Sequence, residues 1–352
     1  MLACDLDRPE GRRRGRRRAV VVAAAIALLP AAGCAGRSQP VATTKAPAST
    51  TASGQDAPRR ARTATPVATT LHVLSHRRLP APVQLPALAR LADGTVLAMG
   101  GLDAADQSVD SILRLTPGAP RRIGALSAPA HDLGAAGLGN RAYAFGGGTA
   151  AGPLADIRSV SRGGTVRSAG RLPAAMSDTG AATIGRTVYV VGGYTTSTPL
   201  RSVLAFRLGA PVRDVATLPH ALRYAAVAAV GGRLLIAGGT DGVRGRREIL
   251  SVDPAAHQVK VIARLPQPLS HAGGAALGGR FYVLGGRGDA LTAQRAAIWV
   301  VDPAHRTLRR AGRLPTALSD IGAVASGDRI LVAGGRDRSG TVHDELWTMG
   351  AR

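Results

Sequence analysis

A double glycine closing an apolar run returns six times in this 352-residue chain. The pairs begin at Gly100, Gly146, Gly192, Gly238, Gly285 and Gly334, at intervals of 46, 46, 46, 47 and 49 residues. The runs read "TVLAMGG", "RAYAFGG", "TVYVVGG", "RLLIAGG", "RFYVLGG" and "RILVAGG". Twenty residues before five of the pairs stands a leucine, at Leu126, Leu172, Leu218, Leu265 and Leu314. Proline follows that leucine in four of the five; in the first repeat the "LP" at Leu79 precedes Gly100 by 21 residues. Six copies in phase are a structural period, and a period of this length marks a repeat architecture.

Each repeat reads as four short strands. In residues 172–217, "GAATI" is followed by the turn "GR", then "TVYVV", a longer loop, "SVLAFRL", the turn "GAP" and "VRDVATLP". Elsewhere the first turn is "DGT", "GNR", "GGR" or "GDR", the residues that tolerate the positive φ of a tight hairpin. Six four-stranded units predict an all-β fold, a six-bladed β-propeller. The first strands, "GAAGLG", "GAATIG", "AAVAAV", "GGAALG" and "GAVASG", are built of small residues, as strands converging on one axis require. The first repeat departs with "ALARLADG", which puts Arg90 on an inner strand. The last repeat stops after three strands, and "TLHVLSHRR" at residues 70–78 precedes the first "LP" without three strands of its own. That segment is expected to complete the sixth blade and leave few open strand edges.

The apolar run with its double glycine, over about residues 79–352, resembles the Kelch family. The two "VDP" segments, at residues 252–254 and 301–303, are similar to that family's third strand. The resemblance implies a propeller that binds ligands or partners. It also includes galactose oxidase, whose copper site uses a cysteine-linked tyrosine; this chain has no cysteine beyond Cys34. A double glycine after a strand can instead cradle phosphate. Here no helix start follows it and it recurs six times, so its role is to let the backbone leave the second strand close to a neighbour.

The first 69 residues are read as an address and a tether. "GRRRGRRR" at residues 11–18, the apolar "AVVVAAAIALL" at residues 19–29 and "PAAGC" ending at Cys34 form a signal peptide over residues 1–33. The apolar run is shorter than the about 20 residues a spanning helix needs. "AAGC" resembles a bacterial lipobox, which implies lipidation of Cys34 and a membrane-anchored lipoprotein at the cell envelope. Residues 34–69, rich in Ala, Thr, Pro and Ser, carry too little apolar surface to pack and read as a disordered tether. The propeller is expected over residues 70–352.

Strand order decides where a ligand would sit. The longer loops, between strands two and three and between one blade and the next, share one face, and binding residues favour loops held on a rigid scaffold. Five or six residues after each "LP" lie His131 and Asp132, Ser177 and Asp178, Arg223 and Tyr224, Ser270 and His271, Ser319 and Asp320. After the double glycines come Asp103, Tyr194, Asp241, Arg287, Arg336 and Asp337. The ligand-binding candidates are His131, Asp132, Asp178, Tyr194, Arg223, Tyr224, Asp241, His271, Arg287, Asp320 and Arg336. Such a ring can bind a polar ligand such as a sugar. Each residue taken singly also suits a turn cap or a bond between blades.

The formal charge is +23, and residues 71–352 carry 33 Lys+Arg against 18 Asp+Glu. The arginines are scattered, with small clusters "RGRR" at residues 244–247 and "RTLRRAGR" at residues 306–313, and no aromatic residues interleave them. Nucleic-acid binding is therefore not expected. No motif calls for a cofactor, and no His/Asp spacing calls for a metal. The expected function is a monomeric binding module of the cell envelope with a glycan or an envelope protein as ligand. The alternative is a carbohydrate-active isomerase or epimerase, with an acid–base pair drawn from His131, His271, Asp132, Asp178, Asp320 and Tyr224.

Overall fold

A computed structural model describes residues 70–351. The expected signal peptide, the lipidation site at Cys34 and the tether lie outside the described residues. Within them the chain forms six antiparallel four-stranded sheets, and no helix occurs among the described residues. Blades 1 to 5 are consecutive, beginning with the inner strands Ala87–Arg90, Gly134–Leu138, Gly180–Ile184, Ala226–Val230 and Gly273–Leu277. Blade 6 comprises Gly322–Ser326, Arg329–Ala333 and Glu345–Gly350, with His72–Arg78 as its fourth strand. Each inner strand packs against that of the next blade, and blade 6 returns to blade 1. The fold is the six-bladed β-propeller expected from the period, closed by the N-terminal strand.

Strand alternation explains the packing. The second and third strands are largely buried on both faces, because each blade is covered by a neighbour on either side. This yields six buried clusters, one per blade interface. Between blades 2 and 3, for example, Phe206 lies 5.3 Å from the ring of Tyr143 and 5.4 Å from that of Phe145. The inner strands enclose an axial channel of about 380 Å3 lined chiefly by alanine, glycine and valine. Arg90 ends the inner strand of blade 1, is exposed, and lines this channel at the end where the short turns lie.

The double glycines join blade to blade. Gly192 has φ +61° and Gly193 φ +110°. The Gly193 N–H donates to the Leu222 carbonyl, at the entry to blade 4, over 2.8 Å. A Cβ on Gly192 would collide with that same oxygen. All six pairs repeat this: the second glycine donates to Ala130, Met176, Leu222, Leu269, Leu318 and Val83 in turn. Gly192→Ala should therefore cost about 2–3 kcal/mol, from a left-handed conformation and a steric clash together. Gly185→Ala, at φ +59° in a turn with no atom within 4 Å of the new Cβ, should cost about 1 kcal/mol. Urea midpoints at unchanged m-value would check the difference; equal losses would show that the close approach contributes nothing.

Candidate functional site

Six residues after each repeat's leucine, the chain turns inward to begin an inner strand. The residues there are Leu85, Asp132, Asp178, Tyr224, His271 and Asp320, and every one has a left-handed φ between 54° and 61°. Side chains with Cβ rarely adopt this conformation. Backbone bonds running round the axis hold it in place. Asp178 N donates to Asp132 O at 3.0 Å, Tyr224 N to Asp178 O at 3.2 Å, and His271 N to Tyr224 O at 3.0 Å. Asp320 N donates to His271 O at 2.9 Å and Leu85 N to Asp320 O at 2.6 Å. The result is a collar at the mouth of the channel to which each blade contributes one side chain. It encloses a cavity of about 120 Å3.

The residue before each collar position pairs with the residue after a double glycine. The bridges are Gln84 with Leu102, His131 with Gly148, Ser177 with Tyr194, Arg223 with Thr240, Ser270 with Arg287, and Ser319 with Arg336. Tyr194, Arg287 and Arg336 are thus paired with Ser177, Ser270 and Ser319, each beside a collar residue of its own blade. Leu85 and Gln84 complete the collar in blade 1 and were missed in the sequence. The same offset from Leu79 finds them, but the first repeat departs from the others there.

Side-chain chemistry differs around the collar. Asp132 and Asp178 are neighbours round the collar, joined by the backbone bond from Asp178 N to Asp132 O. Burial, then the charge of Asp178, pushes the Asp132 carboxyl well above the usual carboxylate range. Its Oδ2 accepts from the Tyr224 hydroxyl at 3.1 Å and lies 3.8 Å from His131 Nε2. Its Oδ1 is buried with no hydrogen-bond partner. Asp178 accepts from Arg223 Nε. Burial opposes the Arg223 charge, but Asp178 and Tyr224 outweigh it and raise its pKa. Burial, and then Asp132 and Asp178, raises the Tyr224 phenol far beyond its ordinary range, so its hydroxyl stays a donor.

The opposite arc is a stack of planar groups. The Arg223 guanidinium lies 4.0 Å from the Tyr194 ring centre and 5.1 Å from that of Tyr224. Tyr224 stacks on His271 at 3.8 Å. Burial, then Arg287 and Arg223, holds the His271 pKa well below its usual value. Its neutral ring accepts from Arg287 Nη2 at 3.2 Å through Nε2 and donates through Nδ1 to Ser270 Oγ at 2.9 Å. Asp320 is raised, chiefly by burial; it accepts from Ser319 Oγ at 2.5 Å and its Oδ1 lies 3.9 Å from His271 Nε2. His131 is lowered by burial and its Nδ1 bonds Ser108 Oγ at 2.8 Å.

Two open cavities flank the collar on the same face, of about 360 Å3 beside Arg223 and Thr240 and about 400 Å3 beside Arg336 and Gln84. Arg287 lines both, while Arg336 lines the second and donates to Asp106 at 3.0 Å. Of the eleven candidates the structure brings ten to the collar or its flanks. Asp241 stands apart. It accepts from the Val243 and Arg244 amides of its own loop and from Arg246, and those amides hold its pKa low. Among the described residues, no group of three or more His, Cys, Asp or Glu side chains converges as a metal site would require.

A family model described as the Kelch motif matches residues 175–208. This stretch begins at the collar of blade 3, just before Ser177 and Asp178, and runs past Tyr194 to the end of the third strand. No curated protein matches the chain.

Proposed function

Since the chain is a Kelch-repeat β-propeller, we propose that it serves as a binding module whose site is the collar and its two flanking cavities, with a glycan or a protein of the cell envelope as ligand. The observation that supports this is the collar itself: six blades each spend a strained residue to aim one side chain at a single cavity. A purely structural closure would not need Asp132, Asp178 and Asp320 buried round one opening, because burying carboxyls is costly. The propeller works as a monomer, exported by the signal at residues 1–33 and held to the outer face of the membrane by a lipid on Cys34.

Screening the purified protein on a glycan array and against envelope proteins tests the reading. A ligand should be found whose binding falls at least about tenfold in Arg287→Ala and in Tyr224→Phe. A ligand indifferent to both substitutions would place the site elsewhere. Labelled fatty acid should enter the protein in cells and fail to enter Cys34→Ala; equal labelling would remove the anchor.

One observation favours a second reading, a sugar isomerase or epimerase. Asp132, pushed toward its acid form by burial, lies beside the Tyr224 hydroxyl and beside His131, whose burial favours the neutral ring, which is the pairing an acid–base exchange of a carbon-bound proton uses. Turnover of any array ligand, abolished by His131→Ala with binding retained, would establish it over the binding module.

A further inference from the structure

The collar cavity holds three carboxyls in a strongly basic chain. Its charged and titratable lining consists of Asp132, Asp178, Asp320, Tyr224 and His271, and no arginine or lysine lines it. Arg223 neutralises Asp178 from the side. His271 is uncharged and gives Asp320 no counter-ion. Arg287 and Arg336 act on Asp320 from the flanking cavity, whereas Asp132 has no arginine or lysine paired with it, although the protein carries a formal charge of +23. Both side chains are more than nine-tenths buried, with 6% and 9% exposed. Asp132 Oδ1 has no hydrogen-bond partner.

We propose that the collar cavity binds a primary ammonium group, held between Asp132, whose Oδ1 has no partner, and Asp320. This deepens the binding-module reading and rests on the collar being its site. An ammonium offers three N–H donors, and its charge-assisted bonds span about 2.7–2.9 Å. Carboxyls spaced round a collar can meet it, whereas a metal ion needs oxygens converging at about 2.0–2.6 Å. Asp132 binds the ammonium as a carboxylate: where it starts as the acid it releases its proton to solvent, and the ammonium takes that proton's place as the neutralising charge. A space of about 120 Å3 admits the amine and the carbons next to it. The flanking cavities, with Thr240, Ser270 and Gln84, supply hydroxyl and amide partners for the polar remainder. The ligand class is therefore an amino sugar whose amine is free.

Calorimetry on the full-length protein tests this with glucosamine, methylammonium and N-acetylglucosamine. Glucosamine and methylammonium should bind, and the acetylated sugar should bind at least about tenfold more weakly. Titrations in two buffers of different ionisation heat should show release of up to one proton. With methylammonium, which stays charged throughout, affinity should rise as the pH is raised through the range in which Asp132 loses its proton, because the acid form of Asp132 competes with the ligand. Asp132→Asn imitates the protonated carboxyl, so the fold should persist while amine binding falls at least about tenfold. Asp320→Asn should do the same, and Asp241→Asn should bind as the parent does. Equal binding of both sugars, no heat with either amine, or unchanged amine binding in Asp132→Asn and Asp320→Asn would each overturn the proposal. If an array ligand still depends on Arg287 and Tyr224 while the amines fail, the ammonium site falls and the binding module stands.

Discussion

Removing residues 1–78 should leave a chain that no longer folds to a stable monomer, whereas removing residues 1–69 should leave stability unchanged. The longer truncation deletes the strand His72–Arg78, which pairs with Glu345–Gly350 through six residue pairs. It also removes Leu71, 2% exposed, whose N–H donates to Ala311 of blade 5. The loss is concentrated at one seam. Blade 6 keeps three strands, and Glu345–Gly350 becomes an open edge carrying the buried Leu346, Trp347 and Met349. Such an edge recruits other chains. The cost should approach the whole stability of a domain, about 5–15 kcal/mol. Size-exclusion chromatography and thermal melting check it, and a monomeric truncation with the parent's melting temperature would contradict it.

The second large effect is at the collar. Arg223→Ala should destabilise the protein by about 3–5 kcal/mol, because it strands the buried Asp178 carboxylate next to Asp132. It also empties the space between Tyr194 and Tyr224. Adding Asp178→Asn removes the stranded charge and should recover most of that stability, since a neutral amide needs no counter-ion. Ligand binding should be lost in the single variant and stay lost in the double. This separates the structural duty of Arg223 from its duty at the site. If the double variant is no more stable than the single one, the ion pair is not what holds this arc together. Denaturant titration beside a binding assay reads both.

The blades were legible because the residues that make them are constrained at every turn of the ring. The double glycines must lie under a neighbour's carbonyl, and the inner strands must be small, so both recur with the period. The closing strand was legible from counting: a repeat short of one strand at one end met a strand without a repeat at the other. The collar was visible only as positions. That Leu85, Asp132, Asp178, Tyr224, His271 and Asp320 share a left-handed backbone has no signature in residue type, since four different kinds of side chain tolerate it here under tertiary restraint. Nor does the spacing of 45 residues between Asp178 and Arg223 announce an ion pair. It arises because the last residue before one collar position reaches sideways to the collar position of the previous blade. Asp241 shows the converse. Thr240 holds the place after the double glycine that Tyr194 holds in the blade before; Asp241, one residue further on, turns back to bond its own loop.

The closing strand also decides how the molecule would bear a load. His72–Arg78 runs from the face of the short turns toward the mouth, where the chain continues into Leu85 of the collar. A pull on residue 70 against a ligand held at the mouth therefore acts along the strand. The bonds to Glu345–Gly350 lie across that direction. They would be sheared together rather than peeled one by one, and the seam that makes the ring vulnerable to truncation is set at its most resistant angle to tension.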